Sequence, residues 1–297
     1  MRGSVRVTGM DTLARNVSRA FGADGRRWLA TLPALRAEVA RDWGLTLGPP
    51  FPLSFHWVAP AGPDAVLKLG PPGAEHLLRE AAALDAYRGD GAVPLLAHDP
   101  ARGALLLGRA SPGTMLRDLV PDRDDEATAA IAAVARRLHR VEAPAGLPDV
   151  RTLGDDLAAH RTRYGDADPL PRGYVDAAAE LLTDLCDSAT RRVLLHGDLH
   201  HDNVLRAADG WAAIDPHGWV GDPGFDAGPA LYNPDPWRTD SPPAPARVEV
   251  LADGLGEPVE RISAWGFVAA VVSEVWNADE GPVPTGRALQ VARLLAP

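Results

Sequence analysis

Three polar side chains in residues 191–219 have the types and the spacing that phosphoryl transfer requires. Asp198 and Asn203 are five residues apart, and Asp215 follows twelve residues after Asn203. One carboxylate can orient a hydroxyl and accept its proton, while an amide oxygen and a second carboxylate are hard ligands suited to Mg²⁺. The pattern favours a phosphotransferase in which Asp198 is the catalytic residue and Asn203 and Asp215 hold the metal ion.

These polar residues follow short apolar runs at 193–195, 204–205 and 211–214. Short apolar runs broken by Gly, Asp and Asn predict a small β-turn-β unit. Loop residues held between apolar strands are a common arrangement for catalytic groups. We therefore expect all three polar side chains to project from loops at strand ends.

Two motifs within this segment resemble a known family. His-Gly-Asp-Leu-His-His-Asp-Asn at 196–203 and Ile-Asp-Pro at 214–216 resemble the catalytic core of the aminoglycoside phosphotransferases, whose fold is protein-kinase-like. Gly-Asp-Pro-Gly-Phe-Asp at 221–226 and Trp-Asn-Ala-Asp-Glu-Gly at 276–281 look most like the branch formed by the streptomycin 6-kinases and hydroxyurea-resistance kinases. The resemblance implies transfer of the γ-phosphoryl group of ATP or GTP, with Mg²⁺, to a hydroxyl of an aminocyclitol such as streptomycin. It also implies that His196 and Asp226 support the catalytic loop.

A kinase also needs a lysine that contacts the phosphates and a glutamate that holds it. Lys68 lies in the apolar strand predicted at 65–69, and Glu80 follows twelve residues later in a predicted helix. Glu75 competes with Glu80 for this role. We favour Glu80, because its surroundings match the family's helix and it lies nearer the helix centre.

The resemblance implies an α+β, bilobal protein-kinase-like fold with a β-rich N-terminal lobe and a mainly helical C-terminal lobe. We expect a flexible N-terminus at 1–10, a nucleotide-binding lobe at 11–110 and a catalytic and substrate-binding lobe at 111–297. The main chain from Leu107 through Arg109 to Ala110 would bind the nucleobase. The first hairpin has Pro-Phe-Pro-Leu-Ser at 50–54 in place of a glycine-rich loop, and prolines remove N–H donors that could face the phosphates.

The acceptor is expected to be a small, cationic molecule. Only ten residues separate Asp215 from Asp226, too few for the long activation segment on which protein kinases bind peptides. Four acidic residues late in the chain are candidates for binding a cationic acceptor: Asp222, Glu274, Asp279 and Glu280. A polar helix end explains the last three of them equally well.

Composition limits the other classes of function. The 297 residues carry a formal net charge of −10, which disfavours binding to nucleic acids and anionic membranes. No apolar run approaches the length of a membrane-spanning helix, and the single cysteine suits the reducing cytoplasm. We expect a cytoplasmic enzyme with no obligate protein partner evident. The acidic run at 122–126 is predicted to be a solvated helix start.

Other interpretations remain open. His196 and His200 would suit zinc if they lay on a helix, and His201 followed by Asp202 is similar to the pair in HD phosphohydrolases. A kinase of the same fold could act on a sugar or an amino alcohol instead. A nucleotide-binding protein without phosphoryl transfer is a further alternative.

Overall fold

The structure, a computed structural model, describes residues 9–234, 243–280 and 286–297, with the side chains of residues 279 and 280 outside that description. Its strands are β1 (Trp57–Pro60), β2 (Ala65–Leu69), β3 (Leu95–Asp99), β4 (Ala104–Gly108), β5 (Val193–Leu195), β6 (Val204–Ala207), β7 (Gly210–Ala213) and β8 (Trp219–Gly221). Its α-helices are α1 (Gly9–Asp42), α2 (Glu75–Tyr87), α3 (Asp124–Leu138), α4 (Leu153–Tyr164), α5 (Tyr174–Asp187), α6 (Gly228–Tyr232), α7 (Ala244–Leu255), α8 (Val259–Glu280) and α9 (Arg287–Leu295).

Strands β1 to β4 form an antiparallel sheet in the order β1-β2-β4-β3. Successive side chains of a strand point to opposite faces. Leu67 and Leu69 of β2 are therefore buried on one face against α1, whereas Lys68 lies between them on the other face, towards α2. This alternation places a lysine inside an apolar strand without exposing its apolar neighbours.

Helix α1 begins at Gly9, so it starts within the segment that the sequence predicts to be flexible, and residues 1–8 lie outside the described residues. Its backbone departs from helical geometry at Gly22, where φ is 55°. Its buried residues, among them Val17, Trp28 and Leu32, pack on β1 and β2. The helix therefore covers the face of the sheet opposite Lys68.

Helix α8 is the centre of the helical half of the chain. Trp265, Phe267 and Val268 are fully buried, and α8 packs against α5, α6, α7 and α9. No helix in the described part of the chain is long and apolar enough to cross a membrane.

Two antiparallel strand pairs, β5 with β8 and β6 with β7, carry the polar loops between the sheet and the helices. The backbone N–H of Val93 donates to the Ala213 carbonyl at 2.9 Å, which joins the N-terminal half to the end of β7. The predicted β-turn-β unit is present, with an additional strand, β8, paired to β5.

A buried ion pair connects two helices that are distant in sequence. Arg247 of α7 has no exposed side-chain surface, and its Nε and Nη2 donate to the Asp124 carboxylate at 2.9 and 2.5 Å. Its Nη1 donates to the carbonyl of Ala230 at 2.6 Å and also to the carbonyl of Asn233. The prediction of a solvated acidic helix start is therefore wrong for Asp124, because a partner 123 residues away covers it.

Replacing this arginine is expected to destabilise the protein strongly. Arg247→Met leaves the carboxylate of Asp124 buried without its cation, and breaking such a pair typically costs about 3–5 kcal/mol. Urea unfolding measures the change in the free energy of unfolding. Arg161→Met is the matched control, since this arginine is half exposed and its ion pair with Asp176 should contribute less than about 1 kcal/mol. Equal effects of the two substitutions would contradict the account.

Candidate active site

The loop between β5 and β6 carries the first motif, and a buried carboxylate fixes its backbone. Asp226 accepts hydrogen bonds from the backbone N–H of His196 at 3.0 Å and of Gly197 at 2.7 Å. Gly197 has φ of 85°, and a Cβ there would lie 2.4 Å from Trp219 Cδ1. A larger residue would be excluded both by the backbone conformation and by the tryptophan.

His196 is fully buried and links the two motifs. Its Nε2 donates to the Ile214 carbonyl at 2.9 Å, and its Nδ1 accepts the backbone N–H of Asp198 at 3.2 Å. Burial lowers the pKa of His196 although Asp226 and Asp198 oppose the shift, so the ring is neutral, as one donor and one acceptor require. The residue thus positions the backbone of Asp198.

The Asp198 carboxylate is one-third exposed and faces three polar side chains. Asn203 Nδ2 donates to Asp198 Oδ2 at 3.1 Å, while His200 Nε2 and His217 Nε2 lie 3.4 and 3.9 Å from the same oxygen. Burial alone would raise the pKa of Asp198, but the neighbouring histidines hold it below its ordinary value. Asp198 is therefore an ionised carboxylate at neutral pH, able to accept a proton.

The β6–β7 pair brings the second motif beside the first. The Ile214 backbone N–H donates to the Asn203 carbonyl at 2.9 Å, so Asp215 follows directly beside the end of the catalytic loop. Asp215 has φ of 61°, a left-handed conformation that Asp and Asn tolerate better than most residues. Local pairing, rather than sequence proximity, therefore joins Asn203 to Asp215.

Oxygen atoms of both residues are left for a cation. Asn203 directs its Nδ2 at Asp198 and thereby leaves Oδ1, and Asp215 gives only Oδ1 to Lys68 and thereby leaves Oδ2. Hard oxygen ligands of this kind fit Mg²⁺.

Lys68 connects the sheet to this site. Its Nζ donates to Glu80 Oε2 at 2.5 Å and to Asp215 Oδ1 at 2.6 Å, and its side chain is 5% exposed. Burial alone would lower the pKa of Lys68, but the two carboxylates raise it, so the ammonium stays charged. Glu80 is thus the glutamate in contact with the lysine, while Glu75 only begins α2.

His139, at the end of α3, holds the far side of Asp226. Its Nε2 lies 2.8 Å from Asp226 Oδ2, and both side chains are buried. Burial alone would raise the pKa of Asp226. The hydrogen bond and the charge of His139, together with His196 and the backbone N–H of Gly197, keep this pKa below its ordinary value. The carboxylate that fixes the catalytic loop is therefore itself fixed by a histidine 87 residues away.

Asp226→Asn is expected to weaken the fold in a pH-dependent way. The ionised carboxylate of Asp226 stabilises the fold above its ordinary pKa of 3.8, and this contribution is lost as pH falls below that value. At neutral pH the variant should lose about 2–3 kcal/mol, and the difference from the parent should shrink below about pH 4. Chemical unfolding from pH 7 to pH 3 measures both effects, with the exposed Asp209→Asn as control. A difference that does not change with pH would contradict an ionised Asp226.

Fewer backbone groups of residues 107–110 are available to a nucleobase than the sequence predicts. Leu107 lies inside β4 between β2 and β3, so its backbone belongs to the sheet. The Arg109 N–H donates to the Asp64 carbonyl at 2.8 Å and is not available to a base. The N–H of Ala110 forms no hydrogen bond within the described part of the chain. Ala110 N–H and the carbonyl of Arg109 remain as candidates for base recognition.

Two of the predicted acceptor-binding residues have structural positions instead. Asp222 is buried, with Oδ1 accepting from Trp265 Nε1 at 2.9 Å and Oδ2 accepting from Arg261 Nη2 at 2.5 Å. Glu274 is 1% exposed, and its Oε1 accepts the backbone N–H of Leu289 in the first turn of α9. The prediction that Asp222 and Glu274 contact the acceptor is wrong. Both side chains are buried, and both carboxylates accept hydrogen bonds from other parts of the protein.

The remaining two acidic candidates, Asp279 and Glu280, have side chains outside the described residues. The zinc and HD interpretations also lose their basis. His196 lies in a loop, not on a helix, and both of its ring nitrogens are engaged by the protein. His201, the histidine of the HD pair, is fully buried in the same loop.

Sequence reasoning missed the histidines around the site. His76 Nε2 lies 3.6 Å from Asp215 Oδ1, and His217 faces Asp198. His76 is one helical turn before Glu80 and His217 is two residues after Asp215, so spacing relative to the predicted residues could have indicated both.

Comparison with known proteins agrees with this geometry. The family model described as aminoglycoside/hydroxyurea antibiotic resistance kinase matches residues 54–281. The chain belongs to this family. It is 34% identical to the streptomycin 6-kinase of Streptomyces griseus over 304 residues, covering 95% of this chain and 94% of that protein. It is 35% identical to the hydroxyurea phosphotransferase of Kitasatospora aureofaciens over 272 residues, covering 88% of this chain and 78% of that one.

Solved structures agree on the fold. A choline/ethanolamine kinase family protein from Mesorhizobium loti superposes with a TM-score of 0.67 at 18% identity, covering 90% of this chain and 95% of that one. The predicted family and the α+β protein-kinase-like fold are confirmed, and so is a kinase as the class of enzyme. As a kinase of this family, the protein uses a nucleotide as phosphoryl donor.

Proposed function

We propose that this protein transfers the γ-phosphoryl group of ATP, with Mg²⁺, to a hydroxyl of an aminocyclitol of the streptomycin type. The observation that carries the proposal is one cluster in which Asp198 contacts Asn203 and Asp215 contacts Lys68. This cluster contains a proton acceptor, two oxygen ligands for a metal ion and a buried ammonium that can neutralise phosphate charge. These are the parts that phosphoryl transfer requires.

At the donor end, residues of this chain neutralise and orient phosphate. Lys68, held by Glu80, presents a charged ammonium from the sheet. Asn203 Oδ1 and Asp215 Oδ2 would hold Mg²⁺, which when bound neutralises charge on the phosphate oxygens. The ammonium and both oxygen ligands are in place before the substrate arrives, so these groups need not reorganise during the reaction. Such preorganisation is the main electrostatic source of catalysis.

At the acceptor end, Asp198 orients the hydroxyl and takes its proton. The acceptor oxygen forms a bond to the γ-phosphorus as the bond from that phosphorus to the β-phosphate oxygen breaks, and ADP leaves. Asn203 Nδ2 donates to the Asp198 side chain at 3.1 Å and to its carbonyl at 2.9 Å, which fixes the orientation of the carboxylate. His196 fixes the backbone of the same residue, so positioning contributes on both sides.

The choice of acceptor rests on the relatives and on charge. The proteins named streptomycin 6-kinase from two Streptomyces species are both 34% identical to this chain. Streptomycin is cationic, and a net charge of −10 favours approach of a cation. The relatives and the charge together favour an aminocyclitol over other small-molecule acceptors.

The proposal is tested by ADP release from Mg·ATP with a panel of acceptors. The panel contains streptomycin, hydroxyurea, choline and a hexose, so that each related activity has its own acceptor. Streptomycin should give the highest kcat/KM. A preference for choline or the hexose would contradict the aminocyclitol and favour a metabolite kinase. Nucleotide binding with no ADP release for any acceptor would favour a binding protein without phosphoryl transfer.

A further inference from the structure

We propose that the side chains of His56, His76 and His217 form a phosphate-binding cluster, in which His76 and His217 contact the triphosphate of the nucleotide donor and His56 holds them in place. This histidine cluster would supply donors that the proline-containing first hairpin lacks. The inference rests on the proposed function, since it concerns the same nucleotide.

The three rings come from separate elements and meet in one place. His56 directly precedes β1, His76 lies in the first turn of α2, and His217 follows Asp215 by two residues. The ring centroids of His56 and His76 are 5.5 Å apart, and those of His76 and His217 are 4.9 Å apart. Three imidazoles in a continuous row thus connect the sheet to the catalytic half of the chain.

The row lies where a transferring phosphoryl group must be. In the middle of the row, His76 Nε2 is 3.6 Å from Asp215 Oδ1, which itself contacts Lys68. At the end formed by His217, the Nε2 of this residue is 3.9 Å from Asp198 Oδ2. The cluster therefore spans the distance from the phosphate lysine to the proton acceptor.

The cleft-facing rings are available to a ligand. The side chains of His76 and His217 are 30% and 31% exposed. Neither distance to a carboxylate is within ordinary hydrogen-bonding range, so these nitrogens can turn their N–H donors towards phosphate oxygens. His56 holds the row in place: its ring packs so closely on Gly70 that a Cβ there would lie 2.7 Å from His56 Cδ2.

The first hairpin explains why such donors are needed. Pro50 and Pro52 have no N–H, and the N–H of Phe51 donates to the Val58 carbonyl at 3.0 Å. None of the three consecutive residues 50–52 therefore has an N–H that can donate to a phosphate oxygen. Imidazole N–H groups beside Asp215 and Asp198 are a chemically suitable replacement.

The experiment measures binding of three ligands by calorimetry: a non-hydrolysable ATP analogue with Mg²⁺, ADP with Mg²⁺, and adenosine. The variants are His76→Leu and His217→Leu. His76→Gln restores a donor near the position of Nε2. His98→Leu is the matched control, because His98 lies on the same sheet two strands away from Lys68. Melting temperatures confirm that each variant is folded.

Each leucine variant should bind the triphosphate analogue about tenfold more weakly, as expected for one lost hydrogen bond to a charged group. Adenosine affinity should not change, His76→Gln should recover part of the loss, and His98→Leu should match the parent. Unchanged triphosphate affinity in both leucine variants would overturn the inference, as would an equal loss for adenosine. If the parent protein binds none of the nucleotides, the proposed function fails first. If the parent and all variants bind the nucleotides normally, only the proposed role of the histidine cluster is contradicted.

Discussion

Asp198→Asn is expected to reduce kcat by about 10² to 10⁴ while leaving nucleotide affinity nearly unchanged, since removal of a general base typically has this effect. The substitution is nearly isosteric and can still accept the Asn203 amide through its remaining oxygen. What it loses is the negative charge that takes the proton of the acceptor hydroxyl. Steady-state kinetics and equilibrium nucleotide binding together separate the two effects.

Asp202→Asn is the matched control for this variant. Asp202 lies in the same loop, but its carboxylate forms an ion pair with Arg117 at 2.7 Å instead of facing the site. We expect its kcat to fall less than about tenfold, because it touches no reacting group. Normal turnover by Asp198→Asn would remove this residue from the mechanism.

The second large effect is expected for Asp215→Asn. Asparagine is preferred to alanine here, because it tolerates the left-handed backbone of Asp215. The substitution removes the negative charge that would hold the metal ion and that pairs with the Lys68 ammonium. Magnesium-dependent nucleotide affinity should fall by about 100-fold or more, and turnover should fall with it.

The dependence on Mg²⁺ provides the control for Asp215→Asn. Nucleotide titrations with Mg²⁺ should distinguish the parent from the variant, whereas titrations in the presence of a chelator should bring the two affinities closer together. A variant that binds Mg·ATP as tightly as the parent does would show that Asp215 is not a metal ligand.

Local sequence predicts much of the site, because its spacing is set by short strands. Val204 pairs with Ala213, so sequence separations of five and twelve residues suffice to bring Asp198, Asn203 and Asp215 together. Lys68 and Glu80 are predictable in the same way, since a strand and the helix that follows it pack directly against each other. In each case the residue types, the spacing and the apolar flanks agree.

Contacts between distant segments could not be predicted in this way. Nothing near Asp124 in the sequence indicates Arg247, and nothing near Asp226 indicates His139. The errors at Asp222 and Glu274 have the same origin: an acidic residue looks available for a ligand until Arg261 or the start of α9 is placed beside it. Arg109 shows the same limit for the main chain, because its N–H is taken by Asp64 from an earlier turn.

The most direct test of phosphoryl transfer to a hydroxyl follows the fate of the phosphoryl group itself. The purified protein is incubated with Mg·ATP and streptomycin, and mass spectrometry of the acceptor is combined with assays of ADP and free phosphate in the same sample. The account predicts streptomycin carrying one phosphoryl group, in an amount equal to the ADP formed, with Asp198→Asn giving at most about 1% of either product in the same time. ADP matched by free phosphate, with streptomycin unmodified, would contradict it.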